Sequence, residues 1–113
     1  MKRDMDLIRT LLLRIEDGHM GIPAGHSRDE VTYHEALLIE AGLVHGEVAR
    51  DSSGVVVAVS IISLTWQGHE FIDAARNSSI WRQTRELIAE RSLTVSMAVL
   101  QGMLVETIKR YLQ

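Results

Sequence analysis

Five histidines, fifteen carboxylates and a scatter of serines and threonines are the groups able to do chemistry in this 113-residue chain, and no cysteine accompanies them. Without cysteine there is no thiolate nucleophile, no disulfide framework and no sulfur-ligated zinc, and nothing argues for an oxidising compartment. The spacings of His19, His26, His34, His45 and His69 match no zinc signature, and His-Glu-x-x-His is absent. A His19–His26 pair across a loop is the remaining ligand candidate. His34 falls on the inward stripe of a helix and His69 in the first turn of another, each placed to bond a backbone carbonyl or a neighbouring carboxylate. Ser52, Ser53 and Thr65 occupy turn and cap positions, and no nucleophile lies in a strained elbow. Gly21 and Gly25 lack the Gly-Lys-Ser/Thr of a phosphate cradle, and nearly every Asp and Glu falls on a polar helix face. These absences predict a protein that is not an enzyme, with no catalytic residue, cofactor or metal.

The elements that would position any site follow from periodicity and punctuation. Met5, Ile8, Leu11, Leu12 and Ile15 recur at three and four, which makes one amphipathic helix with Asp4 and Asp6 in its first turn and Gly18 as C-cap. Three glycines and the only proline between Gly18 and His26 break it, leaving a loop with one short strand around Met20 to Pro23. Ser27 and Glu30 form a capping box ahead of a second helix whose inward stripe is Val31, His34, Leu37, Leu38 and Ala41, ended by Gly42. The period then becomes that of strands: Glu47 to Arg50, a turn at Asp51-Ser52-Ser53-Gly54, and the β-branched run Val55 to Leu64. Thr65 caps a third helix with Phe71, Ile72 and Ala75 inward. A break at Asn77-Ser78-Ser79 precedes a fourth helix carrying Ile80, Trp81, Thr84, Leu87 and Ile88, and a last helix runs from about Val95 to Leu112. At 46% hydrophobic residues and a net charge of −3 the chain is a globular domain, not a disordered one. The charged start, Met1 to Asp6, is not a signal peptide, and no segment reaches the roughly 20 apolar residues of a membrane span, so the expected location is the cytoplasm.

The order helix, short strand, helix ending in Leu38-Ile39-Glu40-Ala41-Gly42-Leu43, hairpin, then Leu64-Thr65-Trp66-Gln67-Gly68-His69-Glu70-Phe71 resembles a winged-helix domain. Gly42 would supply a left-handed C-cap, Leu43 would dock back beneath the helix, and Gly68 would let the third helix sit close under the hairpin. Taken with Met1-Lys2-Arg3-Asp4-Met5-Asp6-Leu7-Ile8-Arg9 and the Tyr33-His34 pair, these motifs are similar to an uncharacterised bacterial and phage family catalogued as a domain of unknown function (family 2513). The resemblance covers the chain to about Trp81. It implies a fold and a prokaryotic or prophage setting, and it carries over no catalytic residue. One departure stands out: the short helix that precedes the recognition helix in a helix-turn-helix is replaced by the glycine-rich loop, being lost or reduced to a single turn. That helix normally braces against the DNA backbone.

Electrostatics argue against nucleic acid. The would-be recognition helix, 28–41, sets Arg28 against Asp29, Glu30, Glu35 and Glu40, a net −3 equal to that of the whole chain. Duplex binding is driven by Lys and Arg displacing counterions, so this helix would repel it. Its outward face, Asp29, Thr32, Tyr33, Ala36 and Glu40, offers no Arg, Lys, Asn or Gln to read a base edge. A partly basic surface exists elsewhere, with Arg76, Arg82, Arg85 and Arg91 around Trp81 and opposed by Glu86 and Glu90; it reads first as a solvated helix face with an Arg82–Glu86 pair.

The last helix is apolar on almost every side from Val95 to Val105. Ala98 and Gly102, four apart, would admit a second backbone, and Met97 and Met103 can adapt to a partner; the competing reading is a core helix covered by the first, third and fourth helices. The expected architecture is α+β, a winged-helix core over 1–77 with a helical extension over 78–113 in one domain overall. The expected function is a protein-interaction or atypical regulatory module that dimerises through its C-terminal helices. It meets an unknown protein partner through Asp29, Thr32, Tyr33, Ala36 and Glu40. The alternative is a DNA-binding repressor contacting phosphate with Arg28, Arg50, Arg76, Arg82 and Arg85.

Overall fold

Seven elements follow one another in the computed structural model, which describes residues 1–19, 21–91 and 93–112. They are α1 (Met5–Glu16), α2 (Arg28–Glu40), β1 (Val44–Arg50), β2 (Val56–Leu64), α3 (Trp66–Ala75), α4 (Ser78–Glu90) and α5 (Met97–Tyr111). The chain is thus α+β, five helices with one antiparallel hairpin. It divides into two units, Met1–His69 and Glu70–Gln113, with the division inside α3 rather than at the Asn77–Ser79 break.

In the first unit, caps define the helices. Asp4 is the N-cap of α1, its carboxylate accepting from the amides of Asp6 and Leu7. Beyond Asp17, Gly18 takes φ 74° and the His19 amide returns to the Arg14 carbonyl at 2.9 Å, a left-handed termination that glycine makes without a Cβ clash. The expected capping box opens α2: the Ser27 hydroxyl accepts from the Glu30 amide while the Glu30 carboxylate accepts from the Ser27 amide. Between α1 and α2 the described residues form no strand; Gly21 to Pro23 are irregular, and Met20, part of the strand expected there, lies outside the described residues. Only a single turn, with the His26 amide on the Pro23 carbonyl at 3.3 Å, stands where a further helix could have been.

Met5, Leu7, Ile8, Leu11 and Leu12 of α1 are buried, as are Val31, His34 and Leu38 of α2. Leu37 is half-buried, and Ala41, expected inward, is exposed because the helix has already ended there and Ala41 is its C-cap. The hairpin pairs Val44 with Leu64, Glu47 with Ser60 and Ala49 with Ala58, with irregularities between His45/Gly46 and Ala49/Arg50. The register leaves Ile62 and Val57 without Cα partners on β1. These bulged residues are 72% and 61% exposed, since an extra residue breaks the alternation that would otherwise turn them inward.

The junction from hairpin to α3 is made by Thr65 and Gly68. Thr65 Oγ1 donates to the Gly42 carbonyl at 2.6 Å and accepts from the Gly68 amide at 3.0 Å, while the Thr65 amide donates to the Leu43 carbonyl at 3.0 Å. A Cβ on Gly68 would collide with the Leu43 carbonyl oxygen, so glycine is required for this approach.

In the second unit, Phe71, Ile72, Ala74 and Ala75 are buried, and Phe71 meets Trp81 edge-to-face with ring centroids 6.4 Å apart. Asn77 caps α4 by accepting from the amides of Ser79 and Ile80. Ile80, Trp81, Thr84 and Ile88 are buried and Leu87 is half-buried. The helix α5 packs along α4, and Thr84 Oγ1 lies 3.3 Å from Thr107 Oγ1. Only Leu100 and Leu104 of α5 are fully buried; Ala98, Val99, Gly102 and Val105 are exposed, so α5 is not a helix covered on all sides. No helix among the described residues is long and apolar enough to cross a membrane.

Candidate functional site

The first unit presents three surfaces able to meet a partner: the outward face of α2, the hairpin with its exit, and a cavity between α1, α2 and β2. On α2, Asp29 and Glu40 are exposed and Thr32, Tyr33 and Ala36 half-buried. The orientation of the helix is held by His34. Because an amide must donate and a carbonyl must accept, His34 carries its proton on Nδ1, which donates to the Glu30 carbonyl at 2.7 Å, while Nε2 accepts from the Asp4 amide at 2.8 Å. One buried imidazole therefore joins the start of α1 to the second turn of α2, and the Tyr33 ring stands edge-on to it at 5.2 Å.

The histidine pair expected across the loop is not brought together as a ligand set. His26 Nδ1 instead sits 3.1 Å from a Glu30 carboxylate oxygen, and His19 is exposed. This bond from His26, together with the Ser27 amide, holds the Glu30 carboxyl below its ordinary range. Among the described residues no three His, Cys, Asp or Glu side chains gather as a metal site. His69, expected to find a bonding partner, is exposed.

The hairpin tip follows its sequence: Asp51 Oδ1 accepts from the amides of Ser53 and Val55, and Gly54 has φ 85°. Arg50 is turned onto the Gly54 carbonyl at 3.0 Å. Around the hairpin and its exit, Val55, Val57, Ile62 and Trp66 are exposed, Trp66 by 79%. Composition did not single these residues out, because a β-branched run reads as buried strand until the bulges are known.

Glu35 is the residue that charge counting misplaced. It lines a cavity of about 450 Å³ with Leu11, Arg14 and Ile15 of α1, Gly18, His19 and Gly21 of the loop, and Val59 to Ile62 of β2. Burial there pushes its carboxyl above the usual carboxylate range. A signal was present: Glu35 is four residues after Val31 and three before Leu38, at the border of the inward stripe. In the second unit, Arg76 pairs with Asp73 at 3.0 Å, Arg85 is half-buried and Arg82 and Arg91 are exposed.

The model of the family described as "Hypothetical protein (DUF2513)" matches residues 2–94, which takes in α1 to α4 and the hairpin. The chain belongs to this family. An uncharacterized protein of Haemophilus influenzae is 36% identical to this DUF2513 chain over 108 residues, covering 86% of each. No solved structure matches. The helix α5 lies beyond the matched residues of the DUF2513 model.

Proposed function

We propose that the chain is a winged-helix module of a prokaryotic or prophage setting, working in the cytoplasm by contact with another protein, as an interaction or atypical regulatory domain rather than a catalyst. The order of α1, α2, hairpin and α3 is compatible with that fold. The observation that carries the reading is the charge of α2, whose exposed Asp29 and Glu40 frame Tyr33 on the face where such domains usually read bases. Exposed Val57, Ile62 and Trp66 support the same reading, since apolar groups on a hairpin suit a polypeptide surface better than phosphate. A second copy pairing across α5 completes the proposal, through Ala98 and Gly102 flanked by Met97 and Met103. A Cβ on Gly102 would meet nothing within 4 Å, leaving room for another backbone there.

Titration with random duplex DNA at roughly 50 mM salt tests the reading. No binding is expected, and Asp29→Lys with Glu40→Lys should leave that unchanged. Tight binding that weakens steeply with salt would refute it in favour of a repressor using Arg28, Arg50, Arg76, Arg82 and Arg85.

A further inference from the structure

The strand β2 is an edge of the sheet. Among the described residues the sheet has two strands, so β2 pairs with β1 on one side only. From Val56 to Leu64 it carries no charged residue and no proline, two of the devices by which natural edge strands discourage pairing; its bulges at Val57 and Ile62 are a third, and they leave Ala58–Ile61 between them in regular register. Over Val59 to Ile62 it lines the cavity, whose other walls are apolar at Leu11 and Ile15. The volume, about 450 Å³, is that of a ligand pocket, and four residues of strand span roughly 13 Å.

We propose that this cavity takes a short extended peptide with a basic side chain, added as a third strand along Val59–Ile62 with its cation against Glu35. Two needs of the site select that occupant. A strand edge presents amides and carbonyls that only another extended backbone satisfies in series. Glu35 is half-buried with its carboxyl raised by desolvation, a cost that an incoming Lys or Arg would reverse, and no hydrogen bond or ion pair to it is seen among the described residues. Arg14, the other full charge in the wall, already has a partner of its own. The inference deepens the contact reading by naming a partner's chemistry and rests on it only in class, because the cavity is distinct from the Asp29–Tyr33–Glu40 face.

The test uses three acetylated, amidated heptapeptides: Val-Thr-Val-Lys-Val-Thr-Val, its counterpart with Glu for Lys, and a version N-methylated at alternate residues. Binding is followed by amide NMR shifts on the full chain. The basic peptide should shift the amides of Val59 to Ile62. The acidic peptide should bind about tenfold more weakly, the effect of one charge-assisted hydrogen bond, and Glu35→Gln should erase that preference. The N-methylated peptide should not bind. Equal binding of acidic and basic peptides, shifts confined to other residues, or no shift at millimolar peptide would each overturn the proposal, as would edge amides that move with protein concentration alone, which would assign the edge to a second copy. None of these outcomes touches the α2 face, whose own test is the titration with duplex DNA.

Discussion

Replacing Gly68 with alanine probes the contact on which the hairpin junction depends. The added methyl would overlap the Leu43 carbonyl oxygen, a backbone atom with no rotamer to escape into. Relief requires α3 to move away from the end of α2, and that movement breaks the bond from the Thr65 amide to Leu43 at 3.0 Å and the bond from Thr65 Oγ1 to Gly42 at 2.6 Å. Overpacking costs about 1–3 kcal/mol, each of the two lost hydrogen bonds about 1, and the helical gain of alanine over glycine returns about 0.5–1, so the net loss is about 2–4.5 kcal/mol. Urea denaturation followed by far-ultraviolet circular dichroism measures it as a lower midpoint at unchanged slope. Gly102→Ala is the internal control. It lies mid-helix with open space around its Cβ, so the same substitution should stabilise by about 0.5–1 kcal/mol at protein concentrations too low for association. If Gly68→Ala proves as stable as the parent, the close approach of α3 to Leu43 is wrong.

Other perturbations have equally definite outcomes. His34→Leu removes the bonds to the Asp4 amide and the Glu30 carbonyl and should destabilise by about 2–3 kcal/mol in the same urea experiment. Ser27→Ala deletes half of the capping box and should cost about 1 kcal/mol. Glu35 binds its proton more tightly in the folded than in the unfolded chain, so its ionisation costs stability above the unfolded-state pKa and nothing well below it; Glu35→Gln should therefore stabilise at neutral pH, with the gain vanishing as pH falls through the carboxylate range. Gly102→Leu should shift light scattering from dimer to monomer if copies pair across α5, and a parent that scatters as a monomer at high concentration would defeat that pairing.

Local rules carried much of the architecture. The Ser27–Glu30 box, the Asp51 turn, the Thr65 cap and the glycines at 18, 42 and 54 are all decided by residues a few positions apart, so the chain announces them without its tertiary partners. The charge of α2 is of the same kind, since it is a property of composition. What depended on tertiary structure was every choice made by residues distant in the chain. His34 could be placed inward by its period, but its link to the Asp4 amide thirty positions away could not. Two bulges, set by how β1 and β2 register, turned Val57 and Ile62 outward. Packing against α1 and β2 drew Glu35 from the polar face into a cavity. Within the second unit, α5 is fully buried only at Leu100 and Leu104. Sequence period assigns a side chain to a face, while burial is decided by what the rest of the fold brings against that face.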